Sequence, residues 1–268
     1  MTAPKVLALD FDGVICDTVR EAFRSAWQVC REIRGGGDEN PPPGVAAAFI
    51  RLRPVLEFGW EFPVVVLALL EGADEPTLLR DFQNTWRQRI LTKYHLTPAD
   101  FASRIDAARD RAIRSSLTDW LAEQGPYPGV ADKLRTALTE GVRIFVLTTK
   151  EGRFAHTLLE THGVMLPADQ VWGKEQAHPK AELLRILRRE NAVTFADIWF
   201  VEDRLKTLQS VEQQPDLTEV RLFLATWGYT TPSDREGAAR DPRMIPITLE
   251  QFCGDFAGWT RSGGSSTP

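Results

Sequence analysis

Apolar and polar positions follow two rhythms along this chain. Near the amino-terminal end, Val6-Leu7-Ala8-Leu9 is a continuous apolar run that stops abruptly at Asp10-Phe11-Asp12-Gly13. A short apolar run closed by a turn signal predicts a strand covered on both faces, as in a parallel sheet. Gly13 permits a sharp turn just beyond it. From Val19 the spacing becomes helical, with Val19, Phe23, Ala26, Trp27 and Cys30 at three- and four-residue steps. Residues 35–44, with three consecutive glycines and Pro41-Pro42-Pro43, read as a loop. Residues 45–71 are apolar-rich and predict two helices broken near Pro54 and Pro63. Helical spacing returns over 75–93 (Leu78, Leu79, Phe82, Trp86) and 97–124 (Phe101, Ile105, Ala108, Ile113, Leu117, Trp120, Leu121). Nothing from 19 to 124 reads as a strand.

Gly125-Pro126-Tyr127-Pro128-Gly129 closes the helical block, and helix and strand then alternate. Helices are expected over 129–140, 152–162 and 181–190, the first two followed by Gly141 and Gly163. Strands are expected over 142–147, 170–172, 198–201 and 219–225. That alternation predicts an α/β fold with a parallel sheet and right-handed crossovers. The first strand belongs to the same sheet, so the helical block is an insertion. The expected division is a core of residues 1–18 and 125–261, an inserted all-helical domain of 19–124, and a disordered tail of 262–268 ending Gly-Gly-Ser-Ser-Thr-Pro.

Composition narrows the classes. The 268 residues are 43% hydrophobic and 26% charged, which is ordinary for a globular chain. A formal net charge of −5 without a basic stripe argues against a nucleic-acid binder. Three cysteines in no metal-type spacing fit a reducing compartment. A strand beginning so near the amino terminus leaves no room for a signal peptide. The longest apolar run, 63–70, is far short of a membrane span. The expectation is a soluble, cytoplasmic protein without nucleic-acid or membrane partners.

Candidate chemistry gathers at predicted strand ends, where open α/β sheets place ligands. Asp10 and Asp12 follow the first strand, and two acids that close need a cation or a shared proton. Thr148 and Thr149 follow the strand over 142–147. Lys180 begins a helix. Glu202-Asp203 ends the strand over 198–201. Taken singly, Thr148 reads as a helix N-cap, Lys180 as a solvated helix residue, and Glu202-Asp203 as acids favouring a helix dipole. Acids, hydroxyl and lysine at the ends of one sheet make coincidence a poor explanation.

In that order, Asp10-Phe-Asp12-Gly-Val, Thr148, Lys180 and Glu202-Asp203 resemble the four motifs of the haloacid dehalogenase (HAD) superfamily. The resemblance covers the Rossmann-like core, and the helical insertion stands where that family carries a helical cap. Pro128-Gly129-Val130, Thr148-Thr-Lys150 and Ala225-Thr-Trp227-Gly228-Tyr229 are similar to its phosphoglycolate phosphatase and β-phosphoglucomutase branch. Two features depart from that branch: Lys180 follows a proline rather than preceding one, and Arg204 follows the acid pair where small residues are usual.

The resemblance implies a Mg²⁺-dependent phosphatase acting on a small phosphorylated metabolite. It makes Asp10 the nucleophile that forms an aspartyl-phosphate, and Asp12 the group that protonates the leaving oxygen and then activates water. Mg²⁺ would be held by Asp10, the backbone carbonyl of Asp12, and Asp203 with Glu202 beside it. Thr148, Thr149 and Lys180 would hold phosphoryl oxygens. In the insertion, Arg51 and Arg53 are candidates for reading an anionic substrate, against the alternative of solvated arginines. The rival readings are a phosphomutase of the same fold, a dehalogenase, which has no use for Asp12 or a metal-type acid pair, and a catalytically silent binding protein. The substrate and the oligomeric state lie beyond the sequence.

Overall fold

The computed structural model describes residues 3–259. The expectation of a disordered tail over 262–268 falls outside them. The chain divides into two units, one built from the chain up to Asp17 and from Pro126 onward, the other Thr18–Gly125.

The first unit is organised on a six-stranded parallel sheet. Its strands are β1 (Val6–Leu9), β2 (Arg143–Leu147), β3 (Val171–Trp172), β4 (Ile198–Glu202), β5 (Arg221–Ala225) and β6 (Met244–Ile247). They lie in the order β3-β2-β1-β4-β5-β6. All four residues of β1 and all five of β4 are buried, so both faces are covered, and this is why the runs are continuously apolar. One face packs Val6, Ala8, Phe145, Leu147, Phe200 and Leu222 beneath Leu183, Leu184 and Leu187 of helix Lys180–Asn191. Trp199 and Phe223 lie 5.1 Å apart and meet Phe256 and Trp259, an aromatic cluster that Phe252 joins through Trp259.

β6 was not expected from the pattern. Pro246 sits inside it, where a central strand would lose a ladder hydrogen bond, but β6 is the sheet edge and pairs only with β5. Helices Pro232–Arg240 and Leu249–Cys253 lie beyond the elements the pattern predicts, while Leu205–Glu212 is the helix implied after Glu202-Asp203. The strand over 219–225 begins later than expected, at Arg221.

The Thr18–Gly125 unit is helical: Val19–Ile33, Val45–Leu52, Glu61–Leu70, Glu75–Asp81, Arg87–Tyr94, Pro98–Ser115 and Leu117–Ala122. Pro63 does not break the chain. It occupies the first turn of Glu61–Leu70, where a missing N–H leaves no intrahelical bond unmade. The break falls near Pro54 as expected, in a single 3₁₀ turn, Arg53–Val55. The segment over 75–93 is interrupted by a π turn at Phe82–Trp86, and that over 97–124 by Ser116, whose hydroxyl caps the final helix through Asp119 N–H. Two buried acids anchor the unit. Glu21 takes a two-point grip from Arg109 at 2.8 and 2.9 Å, with Ser25 donating to it as well. Glu61, fully buried, accepts from the backbone N–H groups of Glu57 and Phe58 and from Arg87.

Candidate active site

Register alone brings the central acids together. Leu9 of β1 stands opposite Val146 of β2 and Val201 of β4, so the next residues, Asp10, Leu147 and Glu202, lie level at the carboxyl end of the sheet. Asp10 N–H donates to Val201 carbonyl at 2.9 Å, fixing the first residue beyond the strand. Side-chain oxygens of Asp10, Glu202 and Asp203 lie within 4.8 Å of one another, and all three residues are buried.

Lys180 answers this charge. It opens helix Lys180–Asn191, and its Nζ lies 2.5 Å from Asp10 Oδ1 and 3.4 Å from Glu202 Oε2, and also donates to Leu147 carbonyl. Burial and the neighbouring Glu202 push the Asp10 carboxyl up to about 7, with Lys180 opposing them. Burial likewise pushes Glu202 up to about 7, Lys180 opposing and the Asp203 charge adding. Burial works against the Lys180 ammonium, but Asp10 and Glu202 outweigh it, and its net direction is upward. Three acids this close favour bound protons or a further positive partner, and their oxygens could hold a metal ion.

The remaining positions follow from short turns. Asp203 Oδ2 accepts from Tyr229 N–H at 2.7 Å, and Tyr229 hydroxyl donates to Asp17 at 3.0 Å. Two glycines make room for this. Gly13 has φ +95°, and a Cβ there would stand 2.0 Å from Asp203 Oδ2; a Cβ on Gly228 would stand 2.5 Å from Asp203 Cβ. Glu202 Oε1 accepts from the backbone N–H groups of Asp203 and Arg204. Thr148 is buried and its hydroxyl accepts from Lys150 N–H at 3.1 Å; Thr149 beside it is exposed. The next helix is Gly152–Thr161, so Thr148 is not its N-cap. Asp12, with a side chain 20% exposed, lies 3.2 Å from Lys150 Nζ.

The structure thus brings Asp10, Lys180, Glu202 and Asp203 into one cluster, and pairs Asp12 with Lys150. Arg51 and Arg53 belong to the helical unit. Arg51 makes a two-point ion pair with Glu75 at 2.7 and 2.5 Å. Arg53 is buried, donates to Leu56 carbonyl at 3.1 Å and lies over the Phe62 ring. Three contributors were not picked out as site residues: Lys150, Gly228 and Tyr229. The signal for the last two was the Trp-Gly-Tyr turn directly after an apolar strand; for Lys150 it was its place two residues beyond Thr148.

The chain matches the haloacid dehalogenase-like hydrolase family over residues 4–213 and belongs to that family. No curated protein matches the sequence. Among solved structures, a protein assigned as phosphoglycolate phosphatase from Lactobacillus delbrueckii subsp. bulgaricus superposes with a TM-score of 0.58 at 14% identity, over 92% of this chain and 95% of that one. CbbY from Rhodobacter sphaeroides, a variant in complex with xylulose-1,5-bisphosphate, gives 0.57 at 20% identity, over 96% and 99%. A second assigned phosphoglycolate phosphatase, from Haemophilus somnus 129PT, gives 0.53 at 14%, over 86% and 88%. The protein is therefore a HAD-type hydrolase whose fold is shared with phosphatase-named relatives. Among the described residues no helix is long and apolar enough to cross a membrane.

Proposed function

We propose that this protein is a Mg²⁺-dependent phosphatase that hydrolyses a small phosphate ester through a phosphorylated Asp10. The observation that carries the reading is the cluster at the end of β1 and β4: three buried acids with oxygens within 4.8 Å, and Lys180 Nζ bridging two of them. An all-carboxylate oxygen set fits a hard divalent cation such as Mg²⁺ rather than Zn²⁺. Asp10, Glu202 and Asp203, with the carbonyl of Asp12, would hold it. Bound there, it would neutralise the charge that otherwise keeps a phosphate dianion away from a carboxylate.

The steps follow from the residues. Lys180 and the Thr148 hydroxyl bind phosphoryl oxygens and hold phosphorus in line with Asp10. An Asp10 oxygen bonds to phosphorus as the ester P–O bond breaks, and the leaving oxygen takes a proton from the Asp12 carboxyl. A water molecule then bonds to phosphorus and gives a proton to Asp12. The Asp10–phosphorus bond breaks, releasing inorganic phosphate and restoring both carboxyl groups.

The test is hydrolysis of p-nitrophenyl phosphate with and without Mg²⁺, beside the Asp10→Asn variant. Wild type should turn over only with metal, and the variant should lose activity while keeping the wild-type circular dichroism. Substantial turnover by Asp10→Asn would sink the covalent route. A panel of phosphorylated metabolites then identifies the native ester.

A further inference from the structure

Lys150 is used by none of the steps above, yet its side chain is 1% exposed and its Nζ stands 3.2 Å from Asp12 Oδ1. A lysine so deeply buried needs acceptor oxygens beside it, and Asp12 Oδ1 supplies one. The backbone that carries it is held on several sides. Lys150 N–H donates to the Thr148 hydroxyl, and its carbonyl accepts from Lys174 N–H at 2.9 Å. Gly152 N–H donates to the Glu175 carboxylate at 3.0 Å, and Glu151 lies 3.1 Å from Lys174 Nζ. The two segments approach so closely that a Cβ on Gly173 would stand 2.1 Å from Gly152 N. The Thr148–Gly152 turn is thereby clamped to the Gly173–Glu175 turn, and the ammonium starts from a fixed point.

We propose that Lys150 is a positioning residue for Asp12, setting which of its oxygens carries the transferred proton; this rests on the phosphatase reading above. A neutral carboxyl has one acceptor oxygen and one hydroxyl. A donor held on Oδ1 makes Oδ1 the acceptor and leaves the proton on Oδ2. That proton passes to the leaving oxygen as its bond to phosphorus breaks. In the second step a water proton returns to Oδ2 as the water oxygen bonds to phosphorus and the Asp10–phosphorus bond breaks. Without the lysine the carboxyl loses the donor on Oδ1, and the benefit of a placed acid, about 10²- to 10⁴-fold, is partly lost.

The experiment uses the full chain with Mg²⁺ and a series of substituted phenyl phosphates, following release of the phenol in the first turnover. A poor leaving group needs the proton; p-nitrophenolate hardly does. Lys150→Met should slow phenyl phosphate about 10²-fold and p-nitrophenyl phosphate far less, with KM little changed. Lys150→Arg should restore much of the loss. In an Asp12→Asn background, Lys150→Met should add nothing further to the slowing of phenyl phosphate, as expected for two residues acting as one unit. Equal slowing across the series, a change confined to KM, or additive effects with Asp12→Asn would overturn the assignment and leave the phosphatase reading standing. A wild type that turns over none of the series would overturn both.

Discussion

Single residues at this site work at close quarters, and the glycines show how little room there is. Gly13 combines a left-handed backbone with an approach that brings its Cα under Asp203. Gly13→Ala is expected to push Asp203 aside and strain the turn, at a cost on the order of 1–3 kcal/mol. Urea denaturation should report that loss, and the Mg²⁺ concentration for half-maximal activity should rise with it. A variant of unchanged stability and metal demand would show that Asp203 is not held where the contact places it. Asp203→Ala should raise the metal demand further or remove activity. The residue scale is also where sequence reading was least complete. Asp10, Lys180, Glu202 and Asp203 each sat at a predicted strand end or helix start, and chain order sufficed to group them. Which residue of Thr148-Thr149-Lys150 turns inward is a matter of backbone geometry: Thr149 is exposed, Lys150 buried, and no periodicity distinguishes them.

At the scale of elements, apolar runs were reliable where burial was two-sided. β1, β2 and β4 stand where continuous hydrophobic stretches put them, because a covered parallel sheet demands such runs. β6 escaped because an edge strand need not be apolar throughout and tolerates Pro246. The helices after Thr231 and Thr248 carry capping boxes with Asp234 and Gln251, a local signal that the sequence itself contains but that apolar periodicity does not detect. In the helical unit, amphipathic spacing gave the helices but not what ties them. Glu21 and Arg109, 88 positions apart, form a buried pair with side chains 1% and 10% exposed. Arg109→Leu should leave the Glu21 charge poorly compensated and cost about 3–5 kcal/mol, whereas Glu21→Leu with Arg109→Leu should recover most of it. Urea melts of the three variants decide the matter. A double variant no more stable than Arg109→Leu alone would mean that packing, not the buried charge, sets the cost.

For the whole molecule, the acid cluster links folding, pH and metal. Asp10 and Glu202 each rise to about 7 from ordinary values near 4, mainly through burial. Between those limits the folded chain holds protons at these positions that the unfolded chain has released. Stability contributed by these two groups therefore falls as pH climbs from about 4 to about 7, and is level beyond it. A divalent cation requires the ionised carboxylates, so its binding strengthens over the same interval. The two trends oppose each other, and the cation should supply most stability where the metal-free cluster is least comfortable. At a concentration 100 times its dissociation constant a ligand adds about 2.7 kcal/mol to the folded state. Thermal melts with and without Mg²⁺ should therefore separate by several degrees near pH 8 and by very little near pH 5. Asp203→Ala should remove the separation at both values. The same upward shift at pH 5 and pH 8, or one that survives Asp203→Ala, would mean that the cation acts elsewhere on the protein and that the buried carboxylates are not its ligands.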